Sequence, residues 1–215
     1  MTCMHRHRPA NAGRRGFITG AGALLLSPAL GSAQSIGALS GEVRVKGRRA
    51  TPATAIRAGD TVITGSGASI AFALGQDAFL LRADSVLKVE RSGELDTLAA
   101  GLRMLTGALV AVFGKSPRPR SIQTTTATAG IRGTGVYIEA SAEQTYFCTC
   151  YGEVELLDNR TQTRHLVVSA NHSPVLIYAR ATAGAMMEQA MFKNHSNAEL
   201  QMIEAMVGRR SPLGG

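Results

Sequence analysis

Four residues in the second half of the chain have side chains suited to holding a transition-metal ion: Cys148, Cys150, His172 and His195. The cysteines fall in Tyr146-Phe147-Cys148-Thr149-Cys150-Tyr151, which reads as a β-strand, so both should project from one face. Thiolates and neutral imidazoles together suit zinc, copper or iron. His172 lies in Ala170-Asn171-His172-Ser173-Pro174, a loop before a strand. His195 lies in Lys193-Asn194-His195-Ser196-Asn197, at the entrance to a helix. Each loop can aim its imidazole at the strand face if the helix packs there. A transition-metal ion is the cofactor this set would take, and a small metal-binding or redox protein is one reading of function.

The same residues admit plainer states. Free cysteines pack well as small apolar core residues. A Cys-x-Cys disulfide needs a kink, because the two Cα atoms of an ideal strand lie about 6.6 Å apart, at the upper edge of disulfide geometry. His195 could pack on Leu200, and His172 could serve as a hydrogen-bonded turn residue. His165 sits beside Arg164 on what reads as an exposed strand. The tighter Cys-x-x-Cys, Cys-x-x-Cys-His and His-Glu-x-x-His patterns do not occur.

Catalytic signatures are missing too. The sequence has no Gly-x-Ser-x-Gly elbow, phosphate loop or dinucleotide fingerprint. Glu153 and Glu155 alternate with Val154 and Leu156, which puts the carboxylates on a solvated strand face. A non-enzymatic protein is expected.

The elements that must position these residues are mostly β. Short apolar runs, such as Val43 and Val45, Ile70 to Leu74, Leu105 to Phe113 (interrupted at Gly107), Thr145 to Tyr151 and Val175 to Tyr178, are separated by small turn residues. This pattern predicts an all-β sandwich or a solenoid-like stack of short strands. From Ala185 onward Ala, Met, Glu and Gln dominate, all favourable in helices. Ser196-Asn197-Ala198-Glu199 has capping-box spacing. Leu200, Ile203 and Val207 then share one face, and Gly208 is a stop. The helix is expected over about Asn197 to Val207, docked on the β domain.

Two glycine-punctuated stretches stand out. One is Ile56-Arg57-Ala58-Gly59-Asp60-Thr61-Val62-Ile63-Thr64-Gly65, followed by the alternating run from Ala68 to Leu74. The other runs from Thr124 through Ile131-Arg132-Gly133-Thr134-Gly135-Val136-Tyr137-Ile138, with Gly152-Glu153-Val154 beyond. Closely spaced glycines allow sharp bends and near approach of another strand. Arg132 is expected to fasten such a bend by binding carbonyls or a carboxylate, Asp60 or Asp77, with an anionic ligand as the functional alternative.

This order of elements resembles the FecR domain, an extracytoplasmic bacterial signalling module, over residues 41–157. The resemblance implies a scaffold role for Gly59, Asp60, Thr64, Gly65, Arg132, Gly133, Thr134 and Gly152. Additional strands would follow over 158–180, and a helical extension and tail over 185–215. In better-known relatives an anti-sigma segment and a membrane helix precede the domain; here Gly13-Arg14-Arg15-Gly16-Phe17-Ile18-Thr19 resembles a twin-arginine export signal. The apolar stretch behind it is too short for a membrane span, and Gly31 and Ala33 suit cleavage before Gln34. A signal peptide over 1–33 and a periplasmic mature form are therefore expected. The implied role is a sensor, adaptor or scaffold that binds an envelope protein, with a link to iron or metal signalling. A structural or polysaccharide-associated envelope module is the third reading.

Export would also change the charge. The chain carries +8, but Arg6, Arg8, Arg14 and Arg15 lie in the leader, leaving 19 basic against 15 acidic residues, or +4. Only Lys115-Ser116-Pro117-Arg118-Pro119-Arg120 clusters positive charge, in what reads as an exposed loop. A nucleic-acid partner is not expected, since that needs a broader basic face.

Overall fold

The computed structural model describes residues 35–91, 99–117, 120–182 and 184–214. The expected leader over 1–33 lies outside the described residues. The described residues form fourteen strands, hydrogen-bonded into one continuous sheet, and one α-helix. In chain order these are β1 (Ile36–Ser40), β2 (Val43–Val45), β3 (Arg48–Arg49), β4 (Thr61–Thr64), β5 (Ser69–Leu74), β6 (Asp77–Leu81) and β7 (Val86–Arg91). Then come β8 (Ala99–Val112), β9 (Arg120–Gln123), β10 (Ala127–Ala140), β11 (Gln144–Asp158), β12 (Arg164–Ser169), β13 (Ser173–Thr182), β14 (Ala185–Gln189) and α1 (Asn197–Met206). The fold is mostly β with a C-terminal helix, as the apolar pattern predicts.

The sheet doubles into two layers because three long strands change partners partway along. β8 pairs with β7 through residues 99–106, then with β6 and β10 through 107–112. β10 pairs with β9 over 128–131 and with β8 over 135–140. β11 pairs with β13 over 144–149 and with β12 over 152–157. At each changeover sits a glycine of positive φ: Gly107 (+94°), Gly133 (+64°) and Gly152 (+90°). Sequence reading expects a sharp bend at Gly133 but an interruption at Gly107 and a turn at Gly152. In the structure all three are bends inside long strands, since a bulge turns the chain without ending its ladder.

The main core lies between the layers. Val62, Leu87, Leu102, Ile122 and Val154 from one layer meet Phe72, Phe79, Leu109, Ile138 and Phe147 from the other. The second layer is covered on its outer face as well. There Val110, Val112, Tyr137, Tyr146, Cys148 and Cys150 join Leu200 and Ile203 of α1 in a second apolar cluster. Ser196 caps α1: its hydroxyl accepts from the Glu199 amide at 3.3 Å, and the Glu199 carboxylate accepts from the Ser196 amide at 2.9 Å.

Several expectations need correction. Ala185–Gln189 has helix-favouring composition but forms β14, paired with β13. Propensity differences of a few tenths of a kcal/mol per residue yield to pairing with a neighbouring strand. Arg132 fastens nothing: it is exposed, and both candidate carboxylates have other partners. Asp60 lies 2.7 Å from the Lys46 ammonium and accepts from the Arg57 amide at 3.0 Å. Asp77 is held by Arg120 and by the Gly114 amide at 3.0 Å. Arg120, expected in a solvated basic loop, therefore has a largely buried side chain (9% exposed). Burial still raises the Asp77 pKa, outweighing Arg120.

The other motif residues act as scaffold. The Gly59 amide donates to Val89 O and the Val89 amide to Asp60 O, tying this turn to β7. The buried Thr64 hydroxyl accepts from the Ser85 amide at 3.0 Å, while the Gly65 amide donates to Glu42 O. Thr134 is buried opposite Gly152, where an added Cβ would lie 2.5 Å from Thr134 Cγ2.

Gly135 offers a test of packing at the bend. A Cβ there would lie 2.3 Å from Tyr151 Cε1, and Tyr151 is itself buried with its hydroxyl bonded to Glu204. Gly135→Ala should cost about 1–3 kcal/mol through overpacking. Gly47→Ala, where no atom lies within 4 Å, should cost less despite its φ of +75°. Denaturant midpoints for the two variants check the order.

Candidate metal centre

Alternation along β11 sets the cysteine faces. Phe147 and Val154 point into the inter-layer core, while Tyr146, Cys148 and Cys150 point outward under α1. Both thiols are fully buried and free. The bend at Gly152 redirects the chain just beyond them. The turn into β13 then brings His172 back, and its amide donates to Cys150 O at 2.9 Å. His172 has φ of +46°, and Asn194, just before His195, has φ of +59°. Such left-handed non-glycine residues cost energy and cluster at functional sites.

These placements bring all four predicted ligands together. One donor atom from each of Cys148, Cys150, His172 and His195 lies within 4.8 Å of every other. Cys148 Sγ is 3.7 Å from His172 Nδ1, and Cys150 Sγ is 3.4 Å from His195 Nε2. The two nitrogens are 3.2 Å apart. For a tetrahedral ion with ordinary zinc–sulfur and zinc–nitrogen bonds, those edges would be about 3.5 Å for S···N and about 3.3 Å for N···N. The observed spacings match both.

The outer contacts orient the imidazoles. His195 Nδ1 is 2.7 Å from Lys193 O, and His172 Nε2 is 2.8 Å from Asn197 Oδ1. Both acceptors assign the ring proton to the outer nitrogen, leaving His195 Nε2 and His172 Nδ1 as lone pairs facing the centre. His195 also stacks on Tyr137, centroids 4.3 Å apart. Phe192 covers both imidazoles, at 4.4 Å from His172 and 4.6 Å from His195. Beside it lies an open groove of about 690 Å³, lined by His172, Phe192, His195 and Asn197.

Electrostatics favour one ionised sulfur. The neighbouring Cys150 thiol lowers the pKa of the Cys148 thiol, against the opposing effect of burial. The same pairing, with burial, pushes Cys150 upward. Around the pair, burial and the neighbouring thiolate raise Tyr146 to about 12. Burial opposes ionisation of Glu139, yet bonds from Lys193, Asn194 and Tyr137 prevail and lower its pKa.

His165 lies exposed on β12, outside this group. Sequence reasoning missed Asn197 and the Lys193 carbonyl. Asn197 was legible only as the residue after a cap, and a carbonyl carries no sequence signal. Glu204 was missed too: it is buried, accepts from the Tyr151 hydroxyl, and takes a bond from Arg209 Nε at 2.5 Å.

No family model matches the chain, and no curated protein matches it in sequence. Its fold is similar to two crystal structures of a candidate anti-sigma factor from Parabacteroides distasonis. The structure at 2.50 Å has a TM-score of 0.50 and 13% identity, over 60% of this chain and 58% of that one. The structure at 1.65 Å has a TM-score of 0.50 and 15% identity, over 66% and 64%. The chain therefore spans about three fifths of each neighbour's length. At these identities the likeness establishes a shared fold.

The geometry beneath α1 predicts the energetics of its docking. Leu200 is fully buried, so Leu200→Ala should cost about 2–5 kcal/mol. Tyr151→Phe removes one bond to the Glu204 carboxylate and should cost about 1.5–3 kcal/mol. Chemical denaturation of each variant gives the values.

Proposed function

We propose that this chain is a non-enzymatic, FecR-like module of the bacterial envelope that binds one transition-metal ion and acts through protein partners. The observation that carries the metal reading is the convergence of four donor atoms within 4.8 Å, with both imidazoles oriented from outside. Zinc is the ion of choice. Two thiolates and a divalent cation sum to zero charge, which suits a site whose cysteines are fully buried. A tetrahedral ion without geometric preference of its own also fits the donor spacing.

Export to the periplasm follows from the twin-arginine-like leader. Action through a partner draws on the likeness to the anti-sigma factor fold and on β12. That strand forms a sheet edge and exposes Leu166 (65%) and Val168 (69%), a surface suited to strand addition. No helix among the described residues is long and apolar enough to cross a membrane.

Elemental analysis of untagged protein, produced with its own leader and purified without chelators, should give one zinc per chain. Cys148→Ser and Cys150→Ser should each abolish stoichiometric retention. Asn197→Ala should weaken zinc about 10–100-fold by freeing the His172 ring. Reduced, folded protein that neither carries nor takes up zinc, copper or iron would remove the metal reading.

A further inference from the structure

We propose that the ion is a latch for α1, so that metal occupancy controls whether the outer face of the second layer is covered. This rests on the metal reading above. Cys148 and Cys150 belong to the rigid sheet, and His172 to the turn tied to it through the Cys150 carbonyl. His195 is the residue immediately before the Ser196 cap of α1. Asn197, which orients His172, is the first residue of the helix itself. An ion held by all four ligands therefore joins the helix N-terminus to the sheet.

The helix needs such an anchor. It has ten residues, below the length at which an isolated helix is stable in water, about 12–15 residues. Leu200 and Ile203 are its fully buried apolar side chains, with Met206 and Val207 packed half-buried at the edge of the same cluster. Polar attachments add to these: Arg82 to Glu199, Tyr151 to Glu204, and, just past the helix, Arg209 to the Gln76 carbonyl. The face that α1 covers is apolar and continuous, built from Val110, Val112, Tyr137 and Tyr146 beside the cysteines. Ion loss removes the anchor at one end of the helix and lets this face open without unfolding the inter-layer core. An ion held by four ligands in the closed form and by three in the open form favours closure by up to the ratio of the two affinities.

Hydrogen exchange of the full chain, followed by mass spectrometry, tests this with Zn²⁺ alone as the probe. In chelated protein, amides of α1 should exchange faster than those of β10. Above the Zn²⁺ dissociation constant, measured in parallel by competition with a chromophoric chelator, each tenfold rise in free Zn²⁺ should slow α1 exchange by up to about tenfold, until the three sheet-borne ligands of the open form saturate as well. The gap between α1 and β10 should narrow accordingly. In His195→Ala, held at Zn²⁺ concentrations that saturate its three remaining ligands, the gap between α1 and β10 should persist. If α1 and β10 exchange together with and without Zn²⁺, or if His195→Ala narrows the gap as the native chain does, the latch is overturned while the metal reading stands. If no Zn²⁺ binds in the parallel titration, both fall.

Discussion

The structure depends on one constraint: three long strands must pass from one layer to the other while their backbone groups stay hydrogen-bonded. Buried amides and carbonyls left without partners cost too much for the chain simply to break off and restart. β8, β10 and β11 meet this by bending at Gly107, Gly133 and Gly152, where positive φ is available without a Cβ penalty. The bends of β10 and β11 are in contact with one another. Gly135 leaves the space that the Tyr151 ring fills, and Gly152 faces Thr134 and the Gly133 carbonyl. The motif from Ile131 to Gly135 is thus joinery between layers, and Arg132, its most conspicuous side chain, points to solvent.

A consequence of this joinery is a layer with two buried faces. Its inner face meets the other layer through Phe72, Phe79, Leu109 and Phe147. Its outer face carries tyrosines and cysteines, which α1 covers. Covering that face required polar groups to be taken out of water with their partners. Glu204, buried at 3% exposure, is bonded by both Tyr151 and Arg209. Tyr137 donates to Glu139, which also receives Lys193 and Asn194 from the segment leading into the helix. The candidate metal site lies within this cover, between the sheet and the start of α1.

The site was partly legible beforehand. Cysteines two apart in a strand share a face whatever surrounds them, so Cys148 and Cys150 could be paired from spacing alone. His172 and His195 could be nominated because each sits in a loop flanking an element able to pack nearby, and His165 could be set apart by its strand. Their meeting could not be read. Twenty-four residues separate Cys148 from His172, and forty-five separate Cys150 from His195. Only the turn before β13 and the docking angle of α1 close those gaps. The same distance effect misled the reading of Asp77, whose partner Arg120 is 43 residues away in a segment that looked like a solvated loop.

Local chemistry by itself determined the mostly β character, the position and cap of α1, and the shared face of the two cysteines. Each follows from backbone preferences and side-chain periods acting over a few residues. Tertiary structure decided the rest. It merged short apolar runs into long bent strands and drew Ala185–Gln189 into a strand against its composition. It exchanged Arg132 for Arg120 as the buried guanidinium and set four donors within 4.8 Å of one another. Those outcomes depend on which distant segments bury one another's surfaces, and that free energy has no representation in any local stretch of the chain.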